Sequence, residues 1–399
     1  MSDFFHESFR GTRYSRSMKL GTSLQPALVA NRQPQALEAP TSPDTVATEQ
    51  TDSLQWSTLQ RPAGQLTVSG EGTLEVEKVR WALKEEGPAA DWPGVFSDAK
   101  VDPSHVKNVY LGVKPFAPDL LAAHDVLIFE MDEDHPVVSS DGRQDSGLVL
   151  SMEAKLAQGD HYAIKKTLTG KYPVLYQLET WSELVQKTTR RENHDQILYK
   201  LDLTQDQNEQ LLKNALEVAC ADRKDEKYNL FTNSCHSAAV DLVNSVVDED
   251  HQMKRWLLPH VYNPLALFPA QGDILFAGKD LFADQPRLVI HPDSELHPAE
   301  AHPKSSVIGK ALKAAASSSV FGPACMAVGA MGGTLAALSL SQISPLLSVP
   351  IGLGVGAKLG HFIAETTERR VISHELEGSQ VVGLSPSQAI ELSRNLAAK

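Results

Sequence analysis

Five short segments with strand patterning fall between residues 108 and 203, and two helix-patterned segments follow them directly. That succession constrains the fold more than any other feature of the chain, because strands grouped before helices point to an α+β domain. NVYLGVKPF (108–116) alternates like a strand. HDVLIFEMD (124–132) and LVLSMEA (148–154) flank the turn-rich SSDGRQDSG, which predicts an antiparallel hairpin with an elongated loop. YPVLYQLE (172–179) and QILYKLDL (196–203) add two more strands. The next segment opens with Thr204 as a helix N-cap and sets Leu211, Leu212, Ala215, Leu216 and Ala219 on one face. A loop, YNLFTNS, then leads into a second helix from about Ser234, with Ala239, Leu242, Val243 and Val246 inward. The expectation is an antiparallel sheet covered by a helix that begins at Cys235.

Other parts of the chain differ in character. Residues 1 to 70 are rich in Ser, Thr, Gln, Pro and Ala and hold few bulky apolar side chains, which predicts a disordered leader. LEVEKVRWALKEE, from Leu74, has helix-like spacing and opens the ordered domain, expected over 71–305. From Ala314 to Ala357 no residue is charged, and Gly, Ala, Ser and Leu dominate. Over 306–366 this predicts a helical hairpin turning near Pro345 and Pro350. The pairs Gly329/Gly333 and Gly352/Gly356 suit close helix approach. Such a hairpin is either membrane-associated or an Ala/Gly-rich buried core. Residues 367–399 read as a polar tail with one amphipathic helix, Ser385 its N-cap and Pro386 its first residue.

A net charge of −13, without a sustained basic run, argues against nucleic acid as a partner. Cys220, Cys235 and Cys325 form no CxxC pair and no metal-ligand spacing, so the reading calls for no disulfide framework, no metal and no cofactor. The charged start, MSDFFHESFR, lacks the apolar stretch of a Sec-type signal. Export by a specialised system, membrane association or a cytoplasmic location all fit.

The chemistry-bearing candidates centre on Cys235. A thiol at a helix start meets the positive end of the dipole and free N–H groups, which favour the nucleophilic thiolate. The plain alternative is a small buried residue. Among the histidines, His124 opens a strand whose Val126, Ile128 and Met131 are apolar, so it belongs at a sheet edge, either as a base or as a half-buried ring bonded to backbone. His236 lies about 100° from Cys235 on a helix, a poor placement for a base. His135, His161 and His194 sit in polar, loop-like surroundings. If the hairpin pairs antiparallel, Ser151 and Glu153 come nearest to His124 and share a face. Glu153 is the first choice to orient the ring and Ser151 the second. A surface carboxylate paired with Lys155 is the alternative for Glu153.

The order of several elements then resembles a known group. AHDVLIFEM, SMEAK, QGDHY, the pair Tyr172 and Tyr176, the stretch with Arg190, Arg191 and Asn193, and YNLFTNSCHS occur in sequence. Residues about 108–270 thus resemble a bacterial domain family related to the N-terminal domain of Lnb-type lipoprotein acyltransferases. The resemblance implies a circularly permuted, papain-like thiol fold in which histidine precedes cysteine. Where that family commonly has asparagine directly before the cysteine, this chain has Ser234, with Asn233 one place earlier. The implied activity is a cysteine-dependent hydrolase or acyltransferase acting on an amide, ester or thioester. The uncharged downstream segment favours lipid or lipoprotein acyl groups over peptides, and with the missing Sec signal it suits a secreted effector. The rival is a non-catalytic membrane-inserting or binding protein on the same scaffold.

Overall fold

A computed structural model describes residues 60–83, 94–116, 122–157, 162–258, 261–262, 272–296 and 373–398, apart from a few single or paired positions within those ranges. Residues 1–59 of the expected 1–70 leader, Cys325 and the uncharged 306–366 segment lie outside them, so the hairpin reading is not addressed there, whereas residues 66–69 of that leader form a strand. Among the described residues, no helix is long and apolar enough to cross a membrane.

The architecture is α+β around a 13-stranded mixed sheet. Its first half comprises β1 (Leu66–Ser69), β2 (Thr73–Trp81), β3 (Val95–Val101), β4 (Val106–Phe116), β5 (Ala122–Met131), β6 (Val137–Ser139) and β7 (Gln144–Asp145). The second comprises β8 (Gly147–Ala154), β9 (Tyr172–Thr180), β10 (Gln196–Lys200), β11 (Lys227–Tyr228), β14 (Arg287–His291) and β15 (Ser373–Glu377). A separate ribbon pairs β12 (Trp256–Leu258) with β13 (Val261–Tyr262). The order across the sheet is β15-β14-β10-β4-β5-β8-β9-β2-β3-β6-β7, with β1 on β2 and β11 on β9. The hairpin expected between 124–132 and 148–154 is present as β5 and β8, antiparallel, and its elongated loop carries β6 and β7.

β5 is covered on both faces, and the pleat separates its side chains cleanly. On one face Leu127, Phe129, Leu148, Leu150 and Met152 pack with α2 (Gln205–Cys220) and α3 (Cys235–Asn244). On the other, Val126, Ile128 and Val149 pack with Trp181 and Leu184 of α1 (Trp181–Val185) and with Leu376 and Ile390. α2 starts with a reciprocal Thr204–Gln207 capping box, which satisfies two otherwise orphaned N–H groups. Its buried face carries the residues its spacing predicts: Leu211, Leu212, Ala215, Leu216 and Ala219.

One local expectation is overturned. The segment from Leu74 is not helical; it is β2. A bulge between Val76 and Val79, with Lys78 at φ 63°, breaks the two-residue alternation and gives the apolar positions a helix-like spacing. The C-terminal residues join the same sheet: β15 runs parallel to β14, and α6 (Pro386–Ala397) follows after α5 (Gly378–Val381), with α4 (Gly272–Ala277) earlier in the chain. Ser385 caps α6 and Pro386 is its first residue, as their order in the chain predicts. Buried Glu130 of β5 accepts from both Ser385 and Ser387, and the Trp181 indole donates to Leu384 O at 2.9 Å.

Candidate active site

The β4–β5 ladder continues to Phe116↔Ala122, and the β8–β9 ladder to Ala154↔Val174. The β5–β8 ladder between them stops at Val126↔Ser151. Beyond that rung the sheet parts, and the chemistry-bearing side chains gather beside the opening, some on each face.

His124, Ser151 and Glu153 come together on one face. His124 Nε2 lies 2.8 Å from Ser151 Oγ, and Ser151 donates to Glu153 Oε1 at 3.2 Å. The serine's single proton is thereby committed, so its oxygen accepts from His124 Nε2–H, and the neutral ring keeps its lone pair on Nδ1. Glu153 Oε2 accepts from Gln60 Nε2 at 2.9 Å, and Gln60 Oε1 accepts from Leu156 N at 2.8 Å. Burial, then the nearby Lys114 and Lys187 cations, push His124 down to about 4 against the opposing pull of Glu153. Burial alone would raise Glu153, but Lys187, His124 and Gln60 outweigh it and hold the carboxyl below its usual range. Lys187 is itself clamped by Glu179, with both carboxylate oxygens 2.6 Å from Nζ, and Lys114 pairs with Glu192 at 2.6 Å.

Cys235 lies on the other face. It is the first residue of α3, whose N-cap Ser234 forms a capping box with Ser237. The sulfur accepts from the backbone N–H groups of Asp125 and His236, and the Tyr228 hydroxyl donates to it at 3.7 Å. Asp125 N is bonded to the His124 carbonyl carbon, so a single peptide unit separates the thiol's strand contact from His124. The helix start was expected to lower the thiol pKa, but burial and the Asp125 carboxylate push it up to about 12. Asp125, Leu127, Leu150, Met152, Tyr176 and Ala239 line a void of about 10 Å³ beside the sulfur, room for one water at most.

His236 does not point to solvent; it is enclosed, with Nδ1 2.7 Å from Asp125 Oδ2. Burial raises Asp125, and the His236 bond opposes that rise. His135 stacks on His105 at 3.4 Å between ring centroids, His194 is half-buried, and His161 lies outside the described residues. Sequence reasoning missed Asp125, Tyr228, Gln60 and Lys187. Asp125 carried a readable signal: it has the parity of Leu127 and Phe129, so it faces the core that covers them. Tyr228 opens the YNLFTNSCHS element that leads into Cys235, whereas Gln60 and Lys187 are brought in from separate elements by tertiary folding. Among the described residues, no group of three or more His, Cys, Asp or Glu has metal-holding geometry.

Residues 95–266 match the family model of the Lnb N-terminal periplasmic domain, and every residue of this site except Gln60 falls inside the match. This stretch, under half of the chain, is therefore related to the N-terminal domain of Lnb-type lipoprotein acyltransferases, a periplasmic domain in that family. No curated protein and no solved structure matched the chain.

Proposed function

Taking this relation to the Lnb N-terminal domain as the premise, we propose that the chain is a thiol acyltransferase or hydrolase with Cys235 as nucleophile and His124 as base. The observation that carries the reading is the parting of β5 from β8, which leaves one peptide unit between the thiol's strand contact and His124. A change of rotamer at His124, releasing Ser151, brings Nδ1 into the opening. The thiol proton passes to that nitrogen as sulfur attacks the carbonyl carbon of an amide, ester or thioester. The tetrahedral intermediate collapses, its leaving group takes the proton from His124, and a thioester remains on Cys235. Water or an acceptor amine or hydroxyl then resolves it. Before that change, Ser151, held by Glu153, keeps His124 in the tautomer that can accept a proton. The relation to lipoprotein acyltransferases favours a lipid or lipoprotein acyl donor over a soluble peptide.

The experiment is acylation by an activated long-chain ester, with the thioester located by peptide mass mapping. Acyl mass on Cys235, its loss in Cys235→Ser and a strong reduction in His124→Ala are the expected results. Acylation elsewhere, or equal acylation of the serine variant, sinks the reading.

A second reading is favoured by a specific observation: Cys235 is 3% exposed, its thiol is held protonated, and the void beside it has no room for a substrate. In that reading the domain is a non-catalytic scaffold for binding or membrane insertion. It predicts that Cys235 stays unmodified by every acyl donor while the full chain still binds vesicles.

A further inference from the structure

The sulfur of Cys235 receives three hydrogen-bond donors, and one of them is a side chain that an apolar pocket does not require. Tyr228 lies on β11, which pairs with β9 through Tyr228↔Tyr172, and it is 3% exposed. Its hydroxyl is directed at Cys235 at 3.7 Å, and phenylalanine would fill the same space without a donor. Beyond Tyr228, the Tyr162 hydroxyl is hydrogen-bonded both to Tyr228 and to Thr167, and Tyr162 is 41% exposed. Tyr162 also stacks on Tyr172 with ring centroids 6.4 Å apart. A continuous line of hydroxyls thus leads from an enclosed sulfur to the surface.

We propose that Tyr228 is a catalytic residue of this site, its hydroxyl stabilising Cys235 as the thiolate, and that Tyr162 positions Tyr228. The proposal rests on the thiol reading above and adds to it the group that makes the anion tolerable. A charge formed on a buried sulfur must be met by donors already aimed at it, since water cannot reorient there. The Asp125 and His236 N–H groups supply two, and Tyr228 supplies the third. The Tyr228 O–H remains intact throughout: it donates to sulfur while the thiol's proton leaves to His124. Tyr162, bonded to the same hydroxyl, holds it in the rotamer that faces sulfur.

The test measures acylation of Cys235 by the activated ester across pH 6–9 in wild-type, Tyr228→Phe and Tyr162→Phe full chains. Loss of a donor to an anion predicts a maximal acylation rate lowered on the order of tenfold in Tyr228→Phe, with the half-saturating ester concentration unchanged. Tyr162→Phe should lower the same rate by about threefold. A purely structural role would move the half-saturating concentration as well, or leave the rate untouched, and either result overturns the proposal. If Tyr228→Phe does not fold, the surface variant Tyr162→Phe decides, and an unchanged maximal rate there overturns it. Acylation that never maps to Cys235 in the wild type refutes the thiol reading itself. Acylation of Cys235 that is indifferent to both tyrosines refutes only this inference.

Discussion

Replacing Lys187 by methionine tests whether the buried charges behind His124 hold both the fold and the imidazole as described. Lys187 is 7% exposed, Glu179 is fully buried, and both carboxylate oxygens lie 2.6 Å from Nζ. Removing one partner of such a pair leaves an uncompensated buried charge, which costs about 3–5 kcal/mol. Replacing both partners by apolar side chains of similar volume removes the desolvation penalty together with the attraction. Lys187→Met with Glu179→Leu should therefore recover to within about 1–2 kcal/mol of wild type. The sign of the pH dependence is fixed as well. The environment raises Lys187 above its ordinary value, so its contribution is fully present below about 10.4 and is lost only as pH rises through the folded value. Glu153 is lowered, chiefly by Lys187 once burial is overcome, so its contribution is present above about 4.3 and fades as pH falls. The same cation helps to push His124 down, so the ring should titrate at higher pH in Lys187→Met. Urea unfolding at pH 7 gives the energies, and the His124 ring resonances in an NMR titration give the shift. A double variant as unstable as the single one, or a His124 titration that does not rise, would refute the electrostatic account.

Three further outcomes follow from the geometry. His124 is held neutral down to about pH 4 in the fold but titrates near 6.5 when unfolded, so stability should fall by up to about 3 kcal/mol as pH drops across that window. Urea midpoints at pH 7, 5 and 4 should show this loss in wild type and not in His124→Gln. Gly147→Ala should destabilise by about 1–3 kcal/mol, read by thermal unfolding, because its Cβ would lie 2.9 Å from the Phe129 carbonyl in the β5–β8 ladder. A chain ending at residue 305 should aggregate or bind a hydrophobic dye, since losing Leu376, Val381 and Ile390 removes about 5–9 kcal/mol of apolar burial, whereas deletion of 306–366 alone should leave the described fold intact.

The β5–β8 hairpin was legible because its two strands alternate and a turn-rich loop joins them, and the side-chain parity of that hairpin brought Ser151 and Glu153 to His124. The Thr204 and Ser385 caps were legible because capping chemistry is local. What was hidden is non-local or breaks a period. The bulge at Lys78 concealed β2, and the pairing of β15 with β14 joins segments that are distant in sequence. The thiol's environment was the largest miss. A helix start argues for a low pKa, but the argument assumes access to water, and α3 packs Cys235 onto β5 beside the buried Asp125 carboxylate. Burial there outweighs the dipole.

The two sides of the split together decide how the chemistry can run. Burial raises the Cys235 thiol and lowers the His124 imidazole, so both shifts favour the neutral pair. Both groups are neutral at rest, so the site does not work from a preformed thiolate as a low-pKa cysteine would. The proton must leave as sulfur bonds to carbon, or after the parted strands admit His124 and water. Either way His124 keeps the proton that Cys235 gives up, so the net protonation of the site does not change and the acylation rate should stay flat from pH 6 to 9. Single-turnover acylation of Cys235 across that range measures the slope. A rate that climbs close to tenfold per pH unit would mean that the thiol proton is lost to solvent, and that His124 is not the base.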